Sequence, residues 1–219
     1  MSKTEIITSK DGSHTLFVPE LNEHYHSTNG AVQESIHVFI EAGLHQISCR
    51  KINILEFGFG TGLNAFLTAI HKKDHEIHYH SLEKYPLDQK LLSQLNYGNF
   101  FEGKHKELFE QLHLSKWEKE NRIEDNFYLN KQKVDFKKVI LQQQYHLIYF
   151  DAFAPEIQPK LWTKEIFKKA YQALLPGGIL TTYCAKGIVR RTMQDIGFNV
   201  ERLAGPPGKR EMIRATKPQ

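Results

Sequence analysis

Cysteine is scarce in this chain. Cys49 and Cys184 are its only two, far apart and without a CxxC, which argues against a disulfide framework and a thiolate metal site and suits a reducing compartment. No apolar run approaches the length of a membrane span, and the opening MSKTEIITSK has no hydrophobic signal core, so a cytoplasmic protein is expected. Repeats, low-complexity tracts and linkers long enough to separate domains are also missing. The 219 residues are therefore expected to form one domain over 1–219 with a real core.

Strong net charge is absent too, the total being +4, but its distribution is uneven. Residues 160–219 hold twelve Lys and Arg against four Asp and Glu, which leaves 1–159 mildly acidic. A basic end on a near-neutral chain suits a polyanion, because Lys and Arg on one face release counterions from phosphates. A solvated basic surface is the alternative.

What is present is an alternation. EIITSKDGSHTLFVP reads as a hairpin turning at Asp11 and Gly12, and Ala31 to about His45 has helical spacing. INILEF, EIHYHSLE, NFYLNKQKV, YHLIYFD and GILTTYCA read as strands, separated by the helical stretches LNAFLTAIHKK, PLDQKLLSQL, GKHKELFEQLHL and Thr163 to Leu174, with PGG as a turn. The charged KWEKENRIEDN is a candidate hairpin partner for NFYLNKQKV. KGIVRRTMQDIG reads as a helix, and FNVERL with EMIRAT as a closing antiparallel pair. Strands alternating with helices imply an α/β fold with a mostly parallel sheet covered on both faces.

ILEFGFGTGLN puts Glu56 at the end of the first central strand, ahead of Gly58, Gly60 and Gly62. Ligands of such sheets gather at the carboxyl ends of the strands. A dinucleotide fingerprint needs G-x-G-x-x-G, but Leu63 stands at the third glycine. S-adenosylmethionine has no phosphate to cradle, and its aminocarboxylate end needs a carboxylate and close backbone. Glu83 ends the next strand, where a ribose diol is bound in either kind of site. Asp135 follows NFYLNKQKV and can accept from an adenine amine, cap a helix, or do both. Asp151 closes YHLIYFD, and in DAFAP it is followed by Phe153, an arrangement suited to orienting an amine and stacking its base. Trp162 is expected to pack.

These stretches, with PGGILTTYCAKGIVRR, GFNVERLAGPPGKREMIRAT and NEHYHSTNGAVQES, resemble the MnmC/MnmD-type tRNA methyltransferases in the same order over nearly the whole chain. The resemblance implies a class I S-adenosylmethionine-dependent methyltransferase fold, Rossmann-like, with a mostly parallel seven-stranded sheet and an antiparallel last strand. A small N-terminal hairpin extension over 1–30 would precede the core at 31–219. It implies N-methylation of 5-aminomethyl-2-thiouridine at the tRNA wobble position, with tRNA as partner. Many relatives carry a fused FAD-dependent oxidoreductase, which this chain is expected to lack; a functional link to a separate enzyme that makes the aminomethyl precursor is compatible with that.

By motif position, the resemblance places Glu56, Gly58, Gly60, Gly62 and Asn64 at the aminocarboxylate, Glu83 at the ribose and Asp135 at the adenine. It makes Asp151 the catalytic residue. Tyr25 and Phe153 fall near the target base, and Lys209 and Arg210 near phosphates, with Glu211 as a pairing partner for one of them. Asp151 is expected to orient the amine rather than deprotonate it, because an ordinary carboxylate is a poor base for an ammonium. His71 with His75, and His78 with His80, have metal-like spacing, but twelve histidines make such spacings common and no metal is expected. Alternatives are another amine or nucleotide substrate, a dehydrogenase, and a non-catalytic tRNA-binding adaptor.

Overall fold

The computed structural model describes residues 4–101 and 105–219; the start of the expected GKHKELFEQLHL helix lies outside them. The chain opens with β1 (Glu5–Thr8) and β2 (His14–Val18), joined through the Asp11–Gly12 turn as the sequence predicts. A third strand, β3 (Glu23–His24), extends this hairpin to a three-stranded sheet. Helix α1 (Ala31–Ser35) continues into a π-helical turn, Ile36–Glu41, and a 3-10 turn, Leu44–Gln46. The expected helix to His45 is interrupted at Gly43, where a Cβ would lie 2.4 Å from the Phe39 carbonyl oxygen.

The alternating core follows in the expected order. It runs β4 (Lys51–Phe57), α2 (Leu63–His71), β5 (Glu76–Glu83), α3 (Gln89–Leu92), α4 (Tyr97–Phe100), α5 (His105–Leu114), β6 (Glu120–Glu124), β7 (Phe127–Lys133) and β8 (Tyr145–Phe150). It closes with α6 (Lys164–Ala173), β9 (Leu174–Thr182), α7 (Gly187–Ile196), β10 (Asn199–Ala204) and β11 (Glu211–Thr216). The large sheet has the order β10-β11-β9-β8-β4-β5-β7-β6. The five strands β9, β8, β4, β5 and β7 pair in parallel, whereas β11 runs antiparallel to β9 and β10. The sheet has eight strands, not seven, because β6 adds antiparallel to β7 at the far edge.

The PGG segment is not a turn between elements but an excursion inside β9. Tyr145 pairs with Leu174 and Leu147 with Ile179, so three extra residues of β9 loop out of the ladder. Pro176 has no N–H to donate and Gly177 takes φ +76°, a combination that favours a bulge over a regular strand.

Side-chain alternation along the parallel strands divides the core in two. Ile52 and Ile54 of β4 face a cluster with α2, α5 and Leu16 of the N-terminal sheet, while Leu55 and Phe57 face a cluster with α6 and α7. Ile166, Phe167, Ala170 and Ala173 form the buried stripe of α6. The Phe167 ring lies tilted against Phe150 at 4.9 Å and meets Trp162 edge to face at 6.1 Å, so Trp162 does pack as expected. Replacing Phe167 by Ala is expected to cost about 3–5 kcal/mol of stability. Ile140→Ala, at a side chain 94 % exposed, should change stability by less than about 0.5 kcal/mol. Urea unfolding of both variants measures this contrast.

Candidate active site

A cavity of about 430 Å³ lies over the carboxyl ends of β4, β5, β7 and β8. Chain order reverses between β4 and β8, which is where open α/β sheets place their ligands. The turn after β4 is held to both neighbours: Gly58 N–H donates to the Leu82 carbonyl at 2.9 Å, and Asp151 N–H donates to the Phe57 carbonyl at 3.1 Å. Gly58 has φ +101°, and a Cβ there would stand 3.0 Å from the Asp151 carbonyl oxygen. Glycine is needed so that the two strand ends can approach. Gly60, at φ +49°, leaves room for the Tyr25 ring, 3.1 Å from where its Cβ would be.

Asn64, in the first turn of α2, ties two carboxylates together. Its Nδ2 donates to Glu56 Oε1 at 3.1 Å and to Asp151 Oδ2 at 2.8 Å. Its Oδ1 is buried without a partner. Asp151 is half-buried in the cavity wall, and burial pushes its carboxyl up to about 7, with Glu34 adding to the rise while Asn64 and Lys209 oppose it. Glu56 is fully buried and accepts a second hydrogen bond from Ser81 at 2.6 Å. Burial, reinforced by Asp151, pushes Glu56 up to about 8. Glu56 lies behind Asn64, outside the lining of the cavity. Gly62 does not line it either; it caps α2 in the left-handed region with its Cα against His113.

Glu83 lines the cavity at the end of β5 and accepts from Gly60 N–H at 3.0 Å and Tyr85 N–H at 2.8 Å. Two neutral donors leave its charge available to a diol. Asp135, on the same wall, pairs with Lys84 at 2.9 Å and accepts from Lys137 N–H at 3.0 Å; the lysine first, and that N–H next, hold its carboxyl below the ordinary range. It therefore stabilises its own turn while it faces the cavity.

Across the cavity, Tyr25 and Phe153 meet edge to face at 4.9 Å. Phe153 is fixed by its carbonyl, which accepts from Trp162 Nε1 at 2.8 Å. Lys209, expected near phosphates, is half-buried and turned toward the cavity wall. Its Nζ reaches Glu34 Oε2 at 2.5 Å and lies 4.1 Å from the centre of the Tyr183 ring, all three residues lining the cavity. Arg210 is exposed, and Glu211 pairs with Arg202 rather than with either of them. Of the histidines with metal-like spacing, His78 stacks on Tyr128 between Glu76 and Glu120, His80 bonds the Tyr145 hydroxyl at 2.6 Å, His75 bonds the Cys49 carbonyl at 2.9 Å, and His71 lies edge-on to His45.

Three residues of the site escape the sequence reading. Glu34 is one of the buried residues of α1, and nothing in its spacing sets it apart from a surface glutamate. Tyr183 donates to the Ala152 carbonyl at 2.9 Å. His26 bonds Thr61 Oγ1 at 2.8 Å, and burial, helped by Lys209, lowers it to about 4, so it is neutral. Tyr183 and His26 lie in stretches that carry the family resemblance, yet nothing in their spacing marks either side chain for the cavity.

The arrangement offers an orphaned amide oxygen for a cation, a carboxylate for a diol, close backbone at the glycine turn, and Asp151 beside them. These are features a sulfonium-bearing amino acid nucleoside fits without any phosphate cradle. Residues 100–218 match the family model described as S-adenosyl-L-methionine-dependent methyltransferase. The tRNA 5-methylaminomethyl-2-thiouridine biosynthesis bifunctional protein MnmC of Cupriavidus necator is 30% identical over 93% of this chain and 33% of its own length. The protein of the same name from Marinomonas sp. is 28% identical over 88% of this chain and 31% of its own. The chain thus spans about a third of the length of these curated relatives. Among solved structures, MnmC2 from Aquifex aeolicus superposes with TM-score 0.79 at 24% identity, covering 100% of this chain and 73% of that one. The CurJ carbon methyltransferase does so with TM-score 0.53 at 17% identity, over 87% and 56%. With its family match spanning more than half of its length and its class I sheet order, the chain belongs to the S-adenosyl-L-methionine-dependent methyltransferases, and MnmC proteins are among its relatives.

Proposed function

We propose that this protein methylates the amine of 5-aminomethyl-2-thiouridine at the wobble position of tRNA, giving 5-methylaminomethyl-2-thiouridine. The observation that carries the reading is Asp151, a carboxylate set in the wall of a cavity that otherwise suits the cofactor, with an aromatic pair beside it. Bound S-adenosylmethionine supplies an electrophilic methyl group on a positive sulfonium. The Asn64 Oδ1 acceptor and the backbone at Gly58 and Gly60 would hold its aminocarboxylate end, Glu83 its ribose, and Asp135 its adenine. The MnmC relatives, named for biosynthesis of this same nucleoside, support the substrate.

Asp151 has more to do than orient. Its Oδ2 is taken by Asn64, which leaves Oδ1 for the substrate amine. An ammonium with a pKa near 10 lies ~6 units above an ordinary carboxylate but only ~3 above a group near 7. Proton transfer to Oδ1 then costs about 4 kcal/mol rather than about 8. The raised carboxyl turns an inadequate base into a workable one, and the anion that orients the ammonium also takes its proton. The neutral amine held at Oδ1 would then take the methyl group, its new N–C bond forming as the methyl–sulfur bond breaks and S-adenosylhomocysteine leaves as a neutral thioether. Tyr25 and Phe153 would pack on the flat base, where each stacking contact contributes about 1–3 kcal/mol.

Nucleoside mass analysis of tRNA bearing 5-aminomethyl-2-thiouridine, after incubation with the protein and S-adenosylmethionine, is expected to show one added methyl on that nucleoside. Asp151→Asn should lower turnover by about a hundredfold or more, with cofactor affinity within a few-fold. Unchanged turnover in that variant would sink the assignment of Asp151.

Because the ionised form is the active one, turnover should fall as pH drops through about 7, the value of the Asp151 carboxyl. That acidic limb should be missing from Asp151→Asn, which a pH profile of kcat at saturating substrates measures.

The exposed Arg210 and the basic face around Arg190 and Arg191 are the groups proposed to meet phosphates. Arg210→Ala should weaken tRNA binding and lower the slope of log affinity against log salt by about 0.9 or less. Lys209→Met should leave that slope unchanged, because its ammonium is turned inward to Glu34. Filter binding over a salt series separates the two.

A further inference from the structure

Strand parity puts two carboxylates on one side of the sheet. Glu56 shares its face with Ile52 and Ile54, and Asp151 follows Tyr149 on the same face of the neighbouring parallel strand. An apolar residue would satisfy the first of these positions. Instead Glu56 sits there with no exposed surface. Its surroundings are Asn64 from α2, Ser81 and Tyr79 from β5, Tyr149 from β8, and Asp151 beyond β8. None of these is cationic, and among the described residues Glu56 makes no ion pair. A buried carboxylate with neutral donors only, and a second carboxylate bonded to the same nitrogen, is the arrangement in which a charge is least tolerable.

We propose that Glu56 is held as a neutral carboxylic acid and serves as a positioning residue, fixing the Asp151 carboxylate through the shared Asn64 amide rather than binding the cofactor as an anion. The proton sits on Oε2, and the Ser81 hydroxyl turns to accept it. Oε1 continues to accept from Asn64. The amide nitrogen must then face both carboxyl groups, because only the nitrogen can donate. That fixes Oδ1 on its opposite side, where it has no protein partner. The pair carries one negative charge, and it resides on Asp151, the member that reaches the cavity. The titratable groups that face Asp151 from other elements, besides Glu56, are Lys209, Glu34, Tyr183 and Tyr79; the first two already pair with each other. Burial displaces both carboxyls upward, in agreement with a pair that does not carry two charges.

The inference rests on the reading of Asp151 as the amine-binding group, but its first test does not. If Glu56 is protonated in the fold and ionised in the unfolded chain, the native protein loses stability as pH rises from about 4.5 to about 8. Glu56→Gln mimics the neutral acid and escapes this loss. The difference in Tm between Glu56→Gln and the parent, measured without cofactor, should therefore grow with pH over that window and then level off. Parallel curves would overturn the proposal. Calorimetric titration with S-adenosylmethionine should give affinities for Glu56→Gln within a few-fold of the parent, and a loss of about tenfold or more would make Glu56 a charged ligand instead. In methyl transfer, Glu56→Leu should lower kcat with little change in cofactor KM, and Glu56→Gln should rescue it. A parent protein without methyl transfer to the proposed nucleoside would discard the substrate reading, while the Tm comparison would still decide the state of Glu56.

Discussion

Everything at the carboxyl end of the sheet depends on the parallel pairing of β4 with β8. Glu56 opposes Tyr149 and Phe57 opposes Phe150, so the two chains leave the sheet side by side. One leaves as a glycine turn and the other as Asp151. The Phe57 carbonyl accepts the Asp151 N–H, and the absence of a Cβ at Gly58 lets the backbones meet. With that approach fixed, a single amide in the first turn of α2 can reach a carboxyl group from each strand. A side chain at Gly58 would separate the strand ends, and the aspartate would lose both its depth and its hydrogen bond.

The N-terminal sheet and the C-terminal hairpin complete the cavity from opposite ends of the sequence. β3 and the residues after it lay Tyr25 against Gly60 and bond His26 to Thr61, which covers the glycine turn. The loop between β10 and β11 inserts Lys209 between Glu34 and Tyr183. That ion pair is inside the cavity wall, where a lone ammonium or a lone carboxylate would be expensive to desolvate. It therefore joins α1 to the last hairpin with its charges balanced locally, and leaves Asp151 and Glu83 as acidic groups free to meet a ligand. Their contrast is physical: Glu83 accepts from two backbone N–H groups, whereas Asp151 is desolvated and opposed by the Glu34 carboxylate.

The order of strands and helices was legible because alternation of period two and of period 3.6 is a local property. INILEF, EIHYHSLE and YHLIYF become β4, β5 and β8 with little change, since each is bounded by glycine or a charged end. Where the reading departed from the structure, a contact distant in sequence decided the matter. Gly43 breaks the first long helix through its approach to Phe39 and Tyr149. The PGG segment stays in β9 because Lys217, near the end of the chain, bonds Gly177 and Gly178 across it. The eighth strand is a local exception: the charged stretch before β7, a candidate hairpin partner from the sequence, pairs along the sheet edge.

The sequence by itself determined that the chain is an α/β protein with glycines after its first core strand and acidic residues at the ends of four strands, because these are facts of spacing. Only the tertiary structure decided where each acid sits and what surrounds it. Glu56 and Asp151 look alike in sequence, each an acid ending an apolar strand, yet one is sealed under α2 and the other faces the cavity. Lys209 and Arg210 are neighbours in a basic tail, yet one is folded into the site and the other meets solvent. Burial and charge pairing are properties of what surrounds a side chain in three dimensions, and those surroundings come from strands and loops up to 175 residues apart.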